Sequence, residues 1–289
     1  MMWLIFSVVS SSALMVIFKL FGRFKVEIFP AIVFNYLTCF VLGNLFLGQD
    51  NLFSNPVWNQ PWLPRIAVLG FFFISAFYLM GLSTRNAGAG ATSVAAKMSV
   101  VLPAAYSIVF LKEPVYLWQL MGMALSLVCV YLMRPINNQS EGKNNGLWVL
   151  ILVFIGSGLV DTGLNMVKNH YGAVVNDYKL STIVFGSAGI IGLIILLFFY
   201  KGKKPGMREF LGGMVLGTTN YLSLLAMFGG IGHYNGSTAW FFAVNNIGVV
   251  ALSTLVSVIF FKEKISTLGY FGLGLSAVAI ILMNLNVVF

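Results

Sequence analysis

Charge is scarce in this sequence. Only 9% of its 289 residues are charged, against about a quarter in an ordinary soluble domain, and no soluble fold could hide the 59% that are hydrophobic. Cysteine is nearly missing. Cys39 and Cys129 both fall inside apolar stretches, where thiols behave as small hydrophobes, which excludes a disulfide scaffold. Histidine is limited to His170 and His233, each near the end of an apolar stretch with no second ligand at metal spacing. Phosphate-binding glycine loops, dinucleotide fingerprints and Ser/His/Asp or HExxH arrangements are absent as well. The chain is therefore expected to be no enzyme and to need no metal or cofactor.

What the sequence has in abundance is long apolar runs. A helix that spans a bilayer needs roughly 20 mostly apolar residues, because each residue advances it about 1.5 Å through a hydrocarbon layer about 30 Å thick. Ten stretches qualify: 3–21, 28–48, 64–83, 87–111, 115–133, 146–168, 179–200, 207–230, 236–261 and 266–287. The first has no basic residue ahead of it and no small-residue cleavage site, so it is expected to remain as the first span. Short connections leave no room for a soluble domain between spans.

The net charge of +9 sits in the connections and reads as topology and lipid contact rather than nucleic-acid binding. Alternate loops differ sharply. Lys19, Arg23, Lys25, Arg85, Arg134, Lys143, Lys201, Lys203, Lys204, Arg208, Lys262 and Lys264 fall in one set, and only Arg65, Lys112, Lys168 and Lys179 in the other. The positive-inside rule places the first set in the cytoplasm and both termini outside. Trp3, Trp58, Trp62, Trp118 and Trp148, near span ends, read as interfacial anchors.

Sliding the chain on itself by about 150 residues produces a repeat. IVFLKEPVYLWQLMGMALSLVCVYLM, from Ile108 to Met133, matches VIFFKEKISTLGYFGLGLSAVAIILM, from Val258 to Met283. Lys112-Glu113 and Lys262-Glu263 close the fourth span of each half, and Gly122 with Ser126 and Gly272 with Ser276 repeat a spacing that lets helix backbones approach closely in lipid. An odd number of spans per half inverts the second copy relative to the first. The fold class expected is thus an all-α membrane protein of ten helices in two inverted five-helix repeats, 1–137 and 146–289, joined by a linker at 138–145.

On these features the chain resembles the drug/metabolite transporter superfamily, in particular its ten-helix EamA-type branch. The resemblance implies an alternating-access carrier with a central cavity between the halves. The best-known ten-helix members keep both termini in the cytoplasm, opposite to the charge count here.

Two charges fall well inside the spans, Lys97 and Asp161. Each costs about 2.5–3.5 kcal/mol at the bilayer centre on insertion scales, so each must face a polar cavity or a partner. Lys97 lies between Ser93 and Pro103. It is either a structural partner for Asp161 or for carbonyls freed by the proline, or a counter-ion for a carboxylate or phosphate. Asp161 shares a helical face with Ser157, Asn165 and Lys168. It resembles the single membrane carboxylate of the small multidrug resistance transporters; Ser12 stands at the equivalent place in the first half. Asn35 with Tyr36, Ser75 with Tyr78, Asn220 with Tyr221, and Asn245 with Asn246 add uncharged polar groups near mid-depth. Each is either a ligand contact or an interhelical hydrogen bond. Trp240 and Phe241 open the ninth span as a gate or an anchor.

The substrate site expected is therefore Lys97, Asp161, Asn35, Tyr78, Asn220, Trp240, Asn245 and Asn246. The reading is a secondary carrier for a small polar metabolite bearing a carboxylate, such as an amino acid, with Asp161 coupling to protons or meeting an amine. The alternatives are proton-coupled export of cationic drugs and translocation of a lipid-linked substrate. Its surroundings are the lipid bilayer of a prokaryotic inner membrane, with no obligate protein partner.

Overall fold

In the computed structural model the described residues are 2–54, 57, 59–60, 62–134, 145–171, 175–233 and 238–288. Among them every regular element is a helix: α1 (Met2–Phe24), α2 (Ile28–Leu47), α3 (Leu63–Asn86), α4 (Ala89–Met98), α5 (Val101–Phe110), α6 (Leu117–Leu132), α7 (Asn145–Tyr171), α8 (Asp177–Phe198), α9 (Met207–His233), α10 (Thr238–Phe261) and α11 (Thr267–Val288), with one 3-10 turn at Gly48–Asp50. Nine spans among the described residues, α4 and α5 taken together, are long and apolar enough to cross a bilayer. In lipid only a helix satisfies its own backbone this way, so an apolar run of this length has no other regular form apart from a closed barrel. The protein is an integral membrane protein. Trp58, Lys143 and the expected linker up to residue 144 lie outside the described residues, as does the side chain of His233.

Two expectations need correction. The fourth span is not one helix: it breaks at Ser99 and Val100 between α4 and α5. Pro103 has no N–H to give the Ser99 carbonyl, which instead accepts the Leu102 N–H at 2.9 Å. The fifth span is shorter than read, 16 residues, or about 24 Å. Pro114 holds Glu113 out of helical conformation, and α6 begins only where the Gln119 N–H donates to the Tyr116 carbonyl at 3.0 Å and the Tyr116 N–H to Gln119 Oε1 at 3.3 Å. A third correction concerns Trp62. It is 6% exposed at the start of α3 among Leu52, Ile66, Val167 and Val184, a core residue and not an anchor; Trp148 and Trp118 are exposed.

Lys112 and Lys262 reappear as a conformational repeat. With Lys25 they are the described non-glycine residues in the left-handed region, at φ 55° and 52°. After each, the glutamate N–H returns to a serine carbonyl, Glu113 to Ser107 at 3.3 Å and Glu263 to Ser257 at 3.2 Å. The matching motif thus starts one residue earlier than the alignment suggested, at SIVFLKE and SVIFFKE.

The helices of the two stretches interleave. α6 packs on α11 reciprocally: a side chain at Gly122 would meet Ala279 and Met283, and one at Gly272 would meet Cys129 and Leu132. Other contacts come in pairs in which the stretches trade places: α1 on α9 with α7 on α3, α2 on α9 with α8 on α3, and α1 on α10 with α7 on α4 and α5.

Candidate functional site

Lys97 sits in the last turn of α4, two residues before the break. Helix α10 runs antiparallel to α4. The Ser253 hydroxyl donates to the Ser93 hydroxyl at 2.7 Å, and Gly90 abuts Thr254. Lys97 lies one turn after Ser93 on α4, and Val249 and Asn246 lie one and two turns before Ser253 on α10. Opposite them stands α7. Gly158 admits the side chain of Leu102 from α5 against its backbone, and Asp161, one turn on, projects on this same side.

Lys97 and Asp161 act on each other electrostatically but form no ion pair within 4.0 Å. Among the described residues the ion pairs are Lys19–Glu263 and Lys168–Asp177. Lys97 is partly exposed on the helix bundle, and Asp161 more so. Two opposite charges inside apolar spans, near each other but not in contact, leave an ammonium able to meet an anionic group and a carboxylate able to meet a cationic group or a proton. Asn245, two turns before Ser253 on α10, is 2% exposed, and its Oδ1 is buried without a partner, as is the hydroxyl of Ser157 one turn before Asp161. Asn246 is partly exposed beside it. The first-stretch counterpart of Asp161 is closed off: the Ser12 hydroxyl donates to the Val249 carbonyl at 3.4 Å.

The remaining expected site residues are elsewhere. Asn35 is fully buried between α2 and α9, its Oδ1 accepting from Asn220 Nδ2 at 3.3 Å and from Cys39 Sγ at 3.9 Å. The backbone of α9 lies directly on it, since a side chain at Gly217 would collide with Asn35 and one at Gly213 with the adjoining Phe34 and Ala31. Asn35 and Asn220 thus form an interhelical hydrogen bond, and Tyr36 likewise donates to the Phe73 carbonyl at 2.9 Å. Tyr78 stands edge-on to Phe29 at 5.8 Å, and Phe29 stacks on Tyr200 at 5.7 Å, an aromatic cluster where α2 begins and α8 ends. Trp240 is partly exposed in the first turn of α10, next to Phe241, whose ring fills the space beside Gly230. Lys168, on the Asp161 face, pairs with Asp177 at 2.8 Å.

One feature of the basic end escaped the sequence. Glu263 pairs with Lys19 and accepts the Ala89 N–H, at the start of α4, at 3.2 Å. Gly88 makes this approach possible, with φ at +95° and no room for a Cβ beside the Glu263 carboxylate. The signal was present as the repeated Lys-Glu pair; its partner was not. Lys112 and Glu113, at the opposite end of the bundle, are exposed.

Residues 1–134 match the EamA-like transporter family. Over 282 residues the chain is 28% identical to an uncharacterized protein of Haemophilus influenzae, covering 96% of this chain and 95% of that one. A solved crystal structure superposes with a TM-score of 0.61 over 99% of this chain and 96% of its own, at 14% identity, a likeness of fold alone.

Proposed function

With residues 1–134 an EamA-like transporter family domain in an integral membrane protein, we propose that the chain is a secondary carrier for a small polar solute bearing a carboxylate, working by alternating access in the inner membrane of a prokaryote. The observation that carries this reading is the Lys97–Asp161 gap: two charges inside the spans, close enough to interact electrostatically, neither fully buried, and not joined in an ion pair within 4.0 Å. A structural pair would close that gap, because a bare charge in the bilayer is costly. Lys97 is the counter-ion for the carboxylate; Asp161 meets an amine or carries the coupled proton; Asn245 and Asn246 supply neutral polar contacts.

Alternating access is supported by the paired contacts and the reciprocal α6–α11 packing, which fit two inverted five-helix repeats. It is also supported by asymmetry. The basic end is tied by Glu263 to Lys19 and α4, while Glu113, its counterpart in the repeat, is exposed. This asymmetry fits a carrier that is tied at one end only.

The greater exposure of Asp161 than of Lys97 favours, as a second reading, recognition of a cationic solute by the carboxylate alone. Melting temperatures in detergent separate the two. Stabilisation by amino acids or small carboxylates that disappears in Lys97→Ala supports the first reading. Stabilisation by lipophilic cations only, lost in Asp161→Asn and kept in Lys97→Ala, replaces it with the second.

A further inference from the structure

At the basic end, away from Lys97 and Asp161, the bundle has a half-open cavity of about 260 Å³ lined by Lys19, Arg85, Arg134, Lys264, Glu263 and the Gly88 turn. Its charge balance is uneven. Both oxygens of Glu263 are engaged, one by Lys19 and the other by the Ala89 N–H, so the carboxylate offsets Lys19 and little else. Arg134 donates to the Tyr131 hydroxyl at 2.8 Å and lies over that ring at 5.0 Å, a neutral contact that orients the guanidinium and leaves its charge uncompensated. Arg85 and Lys264 are exposed and belong to neither of the described ion pairs. Three cations around one small cavity repel one another, and an anion between them removes that repulsion. Guanidinium groups favour the planar, two-point recognition of phosphate oxygens.

We propose that this cavity binds a phosphate group, carried either by the headgroup of an anionic phospholipid or by a soluble phosphate. Its walls come from both stretches of the chain: Arg85 ends α3 and Arg134 follows α6, whereas Lys264 lies between α10 and α11. A phosphate held by all three bridges the two stretches beside the Lys19–Glu263 tie and keeps the basic end closed. The site shares no residue with the Lys97–Asp161 receptacle, so its failure and that of the transport reading are separate results.

The test measures melting temperature under two conditions. In detergent, sodium phosphate is compared with sodium chloride at equal ionic strength; in nanodiscs, phosphatidylcholine is compared with a mixture of phosphatidylcholine and phosphatidylglycerol. The wild-type protein is expected to gain several degrees in at least one condition. Arg85→Gln with Arg134→Gln should abolish the gain, and Lys264→Gln should reduce it, so the result does not hang on the folding of one variant. Lys203→Gln with Lys204→Gln, in a basic loop outside the cavity, should retain it. A gain with free phosphate identifies a soluble ligand, and one confined to phosphatidylglycerol identifies the lipid headgroup. No gain in either condition overturns the site, as does a gain that the cavity variants keep or that the loop variant loses equally.

Discussion

Asn35 and Asn220 show how a facing helix can engage a polar residue in a span. They bond to each other where the α2 and α9 backbones touch, and that contact exists only because residues 213 and 217 are glycines. A Cβ at Gly213 would come within 2.6 Å of the Ala31 carbonyl oxygen, and one at Gly217 within 2.6 Å of the Asn35 carbonyl oxygen. Backbone on both sides cannot rotate away, so Gly213→Ala should destabilise the protein by about 1–3 kcal/mol through overpacking, seen as a lower melting temperature. Gly22→Ala in α1, with nothing within 4 Å of the added carbon, should be neutral or slightly stabilising. Equal effects at the two sites would refute the packing argument. The sequence places Asn35, Asn220 and Asn245 alike in mid-span, and periodicity cannot tell a dry hydrogen bond from an open one; only the facing helix decides. Lys97 and Asp161 were legible because charge in a span is costly wherever it points.

At the level of elements, span positions follow from hydropathy, and the helices found match the stretches read to within a few residues. The break between α4 and α5 was visible only as Pro103, since a proline in a span marks a lost backbone bond without saying whether the helix bends or ends. The start of α4 was less legible still. Its N-terminus is held by Glu263, 174 positions away in sequence, a contact that no local pattern reports. Replacing Glu263 by Ala leaves Lys19 without its counter-charge and the Ala89 N–H without its acceptor, a loss of about 1–3 kcal/mol for a group stripped of its partner. Glu263→Gln keeps an oxygen for the N–H and should cost less. The same substitutions at the exposed Glu113 should change the melting temperature little. Parity between Glu263→Ala and Glu113→Ala would show that the tie at the basic end contributes nothing to this conformation.

For the molecule as a whole, the 150-residue offset in the sequence led to contacts that the structure displays in exchanged pairs, and the short Lys-Glu motif to identical backbone turns at two helix ends. Which copy of the motif is paired was not in the sequence, because the two copies read alike and differ only in what faces them. The central claim is that Lys97 and Asp161 form a solute receptacle and not a structural pair. It is tested by uptake of a labelled amino-acid mixture into proteoliposomes, with melting temperature measured in parallel, for the wild type, Lys97→Met, Asp161→Asn and the double variant. A structural pair loses stability when one charge is removed and regains it, with function, when both are gone. The receptacle predicts uptake by the wild type, its loss in all three variants, and a double variant that still folds. Near-normal uptake by the double variant would contradict the claim.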